Sequence, residues 1–268
     1  MTVIDWLLDG DASIRWQVMR DLTREAPRAV AEERGRVSTE GVGARLLALQ
    51  ADDGRWGGAA WNRGWNSTMH ALMLLRDLGL DPASGPARRA VGLVRERVTW
   101  RGCGPRECED NAFFAGEVEP CITGQVAAVG AYFGQDVRGI IDRLLREQLT
   151  DGGWNCEAPD RSTRSSFNTT ICVLEAVLEY ERAGASSREA TEARLRGQEY
   201  LLARRLMRRR STGEAIELVA SKRGAEGRWL LETVYPGVMP IEMDEGEGRP
   251  SRWNTLRALR VLAWYERK

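Results

Sequence analysis

Residues 148–154 read Gln148-Leu-Thr-Asp-Gly152-Gly-Trp154, and residues 50–56 read Gln50-Ala-Asp-Asp-Gly54-Arg-Trp56. Both are Q-x-x-x-G-x-W. A third copy, Arg223-Gly-Ala-Glu-Gly227-Arg-Trp229, lacks the glutamine. A recurring motif points to an architecture of repeated units, so it takes precedence over local propensity. Each copy reads as a structural clasp. Glutamine at the end of one helix can satisfy backbone groups left unpaired there. Glycine allows a tight turn, and tryptophan covers the junction to the next helix with a large apolar face. Trp56 and Trp154 are therefore expected to be buried at such junctions.

A helix start follows each copy: Asn66-Ser-Thr-Met-His70, then Asn168-Thr-Thr-Ile-Cys172, then Asn254-Thr-Leu-Arg-Ala. A fourth start, Pro120-Cys121-Ile-Thr-Gly, has no clasp before it. Each start carries residues that cap helices and runs apolar on most faces, which marks a buried helix. Between them, residues 85–98, 136–149 and 187–210 place apolar residues three and four apart on charged stretches, the pattern of half-exposed helices. A further outer helix is predicted at about 213–224. The N-terminal segment of about 1–49 adds two or three amphipathic helices. No stretch alternates as a strand would, so the chain reads as one all-α domain over 1–268, built from helical hairpins with an N-terminal helical extension. Asn66 and Asn168 are 102 residues apart with the Cys121 helix between them, whereas Asn168 and Asn254 are 86 apart with no buried helix between. The array is expected to be short by one inner helix.

Composition narrows the function. Net charge is zero, which gives no bulk attraction to nucleic acid or anionic membrane. No apolar run approaches the roughly 18 residues of a membrane span. The N-terminus has no basic n-region, and five cysteines show no framework spacing. Reduced thiols in a cytoplasmic protein are the expectation.

On these repeats and helix starts, residues 40–268 resemble the superfamily of prenyltransferase β subunits and squalene-cyclase repeats, in particular its small bacterial prenyltransferase- and squalene-cyclase-like proteins. The resemblance implies an α/α toroid, with inner helices around a central cavity. It implies an enzyme acting on an isoprenoid or polyprenyl (diphosphate) substrate. The alternative is a non-catalytic toroid that binds a hydrophobic ligand or a partner protein. Prenyltransferase β subunits bind zinc with an Asp-x-Cys at an inner-helix start, and Glu119-x-Cys121 occupies a similar place. Their third ligand is a histidine in an aromatic-His-Thr-Cys stretch. The corresponding stretch is Phe167-Asn168-Thr169-Thr170-Ile171-Cys172, and Asn168 stands where the histidine would be. With two strong donors the expectation is weak or absent zinc, restored by Asn168→His.

Other candidates are open to more than one reading. Cys121 reads as a metal-bound thiolate or nucleophile supported by Glu119, or as a buried thiol beside a helix-start carboxylate. His70, the single histidine, reads as an acid/base group, a zinc ligand or a hydrogen-bonded structural residue. Cys121, Asn168 and His70 are expected to approach one concavity. Asn168, Thr169, Arg252 and Asn254 are candidate substrate contacts. Cyclases of this superfamily protonate an alkene with Asp-x-Asp-Asp, which this chain lacks. Glu107-x-Glu109-Asp110 resembles it in charge alone and otherwise reads as an exposed acidic loop. Cys103 and Cys108 could join Cys121 and Cys156 in one structural site. The arginines at 204, 205, 208, 209 and 210 suit a diphosphate, or a solvated helix face.

Overall fold

The structure, a computed structural model, describes residues 1–101, 110–158, 161–185, 187–204, 208–209, 213–234, 241–243 and 246–266, with backbone alone at 208–209 and 213–214. Its first four helices are α1 (Val3–Leu8), α2 (Ala12–Asp21), α3 (Pro27–Gly35) and α4 (Gly41–Ala48). They are followed by α5 (Thr68–Leu78), α6 (Gly85–Arg97), α7 (Pro120–Tyr132) and α8 (Arg138–Arg146). The last four are α9 (Phe167–Arg182), α10 (Arg188–Ala203), α11 (Ala215–Ser221) and α12 (Arg252–Tyr265). Extended pairing among the described residues is confined to isolated bridges and a two-residue antiparallel ribbon, Arg208–Arg209 with Gly213–Glu214. The protein is all-α. Among the described residues no helix is long and apolar enough to cross a membrane.

The clasp is built three times from the same hydrogen bonds. The indole N–H of Trp56 donates to the carbonyl of Leu46, that of Trp154 to Leu144, and that of Trp229 to Val219, at 2.6–2.8 Å. Each acceptor lies ten residues back, on the preceding outer helix. The backbone N–H of each tryptophan donates to a threonine hydroxyl on the next buried helix: Thr68, Thr170 and Thr255. One tryptophan thus fixes the end of one helix and the start of the next. The glutamine has a longer reach than its position suggests. Gln50 donates to Gly54 O in its own turn and to Ala90 O on α6, and Gln148 to Gly152 O and to Ala193 O on α10. It ties consecutive half-exposed helices together. The third copy, which has arginine in place of the glutamine, is followed among the described residues by α12. Gly152 adopts φ 97°, and a Cβ there would lie 2.8 Å from the Arg196 carbonyl, so a side chain is excluded on two counts.

The mostly buried α5 and α7 alternate with α6 and α8, which are buried on one face, whereas α12, expected to be buried, has four of its fourteen residues buried. Ten of the thirteen residues of α7 are buried, and it packs along α9. Contact is close enough that a Cβ on Gly124 would lie 3.0 Å from the Cys172 carbonyl. Cys156 bonds both Cys121 and Thr169, and further along Gln125 meets Cys172, so α7 and α9 run in the same direction. Tyr132, at the end of α7, donates to Leu80, just past the end of α5, which aligns those two as well. Arg252 bonds the Trp6 carbonyl while Arg260 meets Gln17 and Asp21, so α12 runs parallel to α2. Trp16 on α2 donates to the Leu78 carbonyl on α5. Leu7, Ile14 and Val18 belong to the same contiguous core as α5, α7 and α9.

Three sequence expectations are adjusted. Serines rather than asparagines cap the buried helices: Ser166 accepts from Thr169 N and Ser251 from Asn254 N, which leaves Asn168 and Asn254 inside the first turn. The N-terminal 49 residues hold four short helices. The helix expected over 187–210 ends at Ala203. Beyond it, guanidiniums at i and i+4 would repel along a continued helix, and the chain forms the ribbon instead. No buried helix lies between α10 and α11 among the described residues.

Trp154 is 0% exposed. Trp154→Ala should destabilise the fold by roughly 3–5 kcal/mol, as other buried large aromatics do. Chemical denaturation measures this, and a shift below about 1 kcal/mol would deny the clasp its structural role.

Candidate metal centre

The centre is assembled from the start of α7 and the loop that follows the second clasp. Glu119 is the N-cap residue of α7, with Pro120 at the first helical position. Pro120 lacks an N–H and has a pre-set φ, both suited to that place. Cys121 is therefore locked in the first turn. The segment before it is held from outside. Arg143 on α8 donates to the carbonyls of Glu117 and Val118 at 2.7 and 2.8 Å, and the buried Glu117 carboxylate accepts the Glu119 N–H at 2.5 Å. Cys156 arrives from another direction. It lies two residues beyond Trp154, whose ring and backbone N–H are both anchored.

The sulfur of Cys156 accepts the backbone N–H of Cys121 at 3.3 Å and lies 3.4 Å from the Thr169 hydroxyl. The sulfur of Cys121 lies 3.8 Å from a Glu119 carboxylate oxygen. The donor atoms of Glu119, Cys121 and Cys156 all lie within 4.8 Å of one another, and all three residues are half-buried.

The two thiols are polarised against each other. A hydrogen bond from Cys121, aided by the Thr169 hydroxyl and the Cys121 N–H, lowers the Cys156 pKa to about 7. The same hydrogen bond, with burial, pushes the Cys121 thiol well above the ordinary range. Cys156 is thus the thiolate of the pair near neutral pH. Cys172 is a different kind of thiol. Burial raises its pKa to about 11, and Gln125 donates to it at 3.6 Å.

Two thiolates and a carboxylate form a donor set suited to Zn²⁺. Three protein ligands with a fourth position open is the catalytic form of such a site. With Zn–S bonds of ~2.3 Å and Zn–O bonds of ~2.0–2.2 Å, a tetrahedral sulfur and oxygen sit about 3.5–3.7 Å apart, close to the 3.8 Å between the Cys121 sulfur and the Glu119 oxygen. The Glu117 and Thr169 contacts supply the outer hydrogen bonds that orient metal ligands.

The other residues singled out in the sequence are distributed more widely. Thr169 touches the centre through Cys156. Asn168 is exposed on the first turn of α9, one turn before Cys172. His70 lies outside the cluster: its Nδ1 is 2.8 Å from the Ser67 hydroxyl, its ring is 5.1 Å from that of Trp65, and burial lowers its pKa. Arg252 stacks over Trp6 and bonds the Trp6 carbonyl at 3.2 Å, with Asp9 3.9 Å away. The Asn254 amide donates to the Leu230 carbonyl at 3.0 Å. Glu107, Glu109, Cys103 and Cys108 lie outside the described residues, as do Arg205 and Arg210. Asp110 is exposed, 3.7 Å from Arg101. Cys156, which the sequence offers only as one of four cysteines of a structural site, is the third donor beside Glu119 and Cys121; its position two residues past a clasp tryptophan is the signal that could have singled it out.

No protein-family model matches the chain, and no curated protein matches it. The donor set and its surroundings therefore carry the functional reading.

In metal-free protein, Cys156 should alkylate with an inflection near pH 7, slowly below it as the thiol and fast above it as the thiolate. Cys121→Ala removes the largest cause of the depression, so the inflection should climb toward the ordinary thiol range near 8.5. Mass-spectrometric iodoacetamide rates across pH 5–10 check both outcomes.

Proposed function

We propose that this chain is a zinc-dependent enzyme acting on an isoprenoid or polyprenyl substrate, with Glu119, Cys121 and Cys156 as metal ligands. The observation that carries the reading is the arrival of Cys156 as a third donor. The expectation of weak zinc counted two donors, and Asn168 was to decide affinity. With three donors converging, Asn168 borders a site that needs no histidine.

The α/α toroid belongs to the same proposal. The aligned pairs α7 with α9, α5 with α7 and α12 with α2 support an inner wall of parallel helices that opens at their N-terminal ends. Apolar side chains remain exposed on that side. Phe167 and Ile171 are 44% and 41% exposed one turn apart on α9, and Trp61 and Trp65 are 36% and 50% exposed in the loop before α5. Exposed apolar side chains at the entries to α5 and α9 suit a hydrophobic substrate whose reacting end would reach the ligands.

Bound zinc would supply Lewis acidity and lower the pKa of whatever thiol or water takes the open position. The chain's own residues do the preparatory work. In the metal-free chain the Cys121 thiol, the Thr169 hydroxyl and the Cys121 N–H favour Cys156 as the thiolate. Glu117 and Arg143 fix the Glu119 backbone, so its carboxylate stays at the helix start. A non-catalytic toroid binding a hydrophobic ligand uses the same exposed aromatics without the metal.

Purified protein supplied with zinc should contain about one zinc per chain by elemental analysis. Cys121→Ser and Cys156→Ser should each weaken zinc by at least about tenfold, because a hard hydroxyl replaces a soft thiolate. Asn168→His should have a smaller effect than either. Zinc-free wild-type protein would overturn the metal reading. Failure of the zinc-loaded protein to consume any prenyl diphosphate, with binding of that compound intact, would leave the non-catalytic binder.

A further inference from the structure

A second site lies away from the metal centre, toward the C-terminal ends of α2 and α12. There a cleft of about 620 Å³ opens between the two helices. Four guanidiniums line it, Arg20, Arg24, Arg257 and Arg260, against the single carboxylate of Asp21. Asp21 holds two of them in place. Arg20 bonds it through Nε and Nη2 at 2.7 and 2.9 Å, and Arg260 through Nε at 2.9 Å. Arg260 is steadied further by Gln17, and Arg20 by the Trp16 ring beneath it. The carboxylate thus acts as a positioner for two cations and leaves most of the positive charge uncompensated. Arg257 is 59% exposed, with its nearest carboxylate, Asp77, 4.0 Å away. Arg24 makes no ion pair among the described residues and sits at φ 57°, in the left-handed region.

The far wall is apolar. Val261 and Trp264 follow Arg260 on α12, 40% and 49% exposed. A cleft with cations on one side and an indole on the other is matched by a ligand of the same polarity. Guanidinium forks fit phosphate oxygens in bidentate fashion. The volume is in the range of small-molecule pockets, about 300–1,000 Å³, and exceeds what one inorganic ion fills. We propose that this cleft binds a phosphorylated small molecule carrying a planar ring, of the nucleoside-phosphate class, with its phosphates on the arginines and its ring against Trp264.

The proposal is independent of the metal centre, and its test can be separated from zinc. Titration calorimetry at low salt would use ATP, AMP and inorganic pyrophosphate on the full chain. ATP should bind, and Arg257→Gln and Arg24→Gln should each weaken it by about tenfold, the loss of one charge-assisted hydrogen bond. Both arginines are on the surface, and an unchanged melting temperature confirms that the variants fold. Trp264→Ala should weaken ATP and leave pyrophosphate unchanged. Cys156→Ser should bind ATP as the parent does. No binding of ATP or pyrophosphate, or binding indifferent to both arginine substitutions, would overturn the site and leave the arginines as counter-charges to the helix carbonyl ends. Equal loss of ATP and pyrophosphate in Trp264→Ala would overturn the ring contact. A prenyl diphosphate that binds here in preference to ATP would overturn the nucleoside class.

Discussion

The structure depends on an indole N–H reaching a carbonyl ten residues earlier while the same tryptophan's backbone N–H reaches a threonine on the next helix. Either bond alone would be worth little net free energy, about 1 kcal/mol. Together with burial of the indole they convert a flexible loop into a fixed joint. Every clasp therefore specifies three things at once: where the outer helix stops, which way the chain turns, and where the next buried helix begins. The glutamine extends this control to the following outer helix, through Ala90 in one copy and Ala193 in the other. The second clasp also positions one donor of the proposed metal centre. Cys156 is two residues from Trp154, so an anchored ring fixes a sulfur that would otherwise ride on a surface loop.

Much of this was legible in the sequence because it is local. Q-x-x-x-G-x-W is seven residues long, and burial of α7 follows from a stretch with almost no polar face. Those signals predicted an all-α chain, the buried tryptophans and the helix order. What escaped was non-local or decided by competition between similar residues. The sequence offers Cys156 only as one of four cysteines of a structural site; nothing in it singles out the approach of Cys156 to Cys121 across 35 positions. That pairing exists because α7 and α9 run in parallel, so their starts lie side by side. Ser166 and Ser251 outcompete Asn168 and Asn254 as caps because the chain enters each helix before the asparagine. The end of α10 at Ala203 reflects charge density beyond it, which apolar periodicity does not report.

Overall neutrality hides strong segregation of charge. Many arginines are held by neighbouring acids, as Arg194 by Glu181 at 2.8 Å and Arg15 by Glu33 at 2.6 Å. Both pairs are part-buried, and each cancels a guanidinium charge where it stands. The cleft between α2 and α12 departs from that rule, since four guanidiniums line it beside one carboxylate, which bonds only Arg20 and Arg260. Arginines near helix C-termini are favoured by the carbonyl ends, which accounts for some of the excess. It does not account for their convergence from two helices and a loop onto one concavity with an indole wall.

The start of α7 shows how site chemistry and local stability compete for the same atoms. A helix begins with four N–H groups that lack intrahelical partners, and an N-cap side chain usually takes one of them. Glu119 occupies the cap position and makes no such bond; its carboxylate lies toward the Cys121 sulfur instead. One unpaired N–H, that of Cys121, is met by the sulfur of Cys156. The thiolate therefore does the work of a cap, and the positive end of α7 helps keep it ionised. The interaction is reciprocal, since whatever stabilises the thiolate also stabilises the first turn of α7, ten of whose thirteen residues are buried. Two positions that a stability-driven sequence would fill with a serine cap and an apolar contact hold a carboxylate and a second thiol. Departure from local preference at this point, with capping serines retained on α9 and α12, is the pattern expected where residues are kept for chemistry rather than for folding.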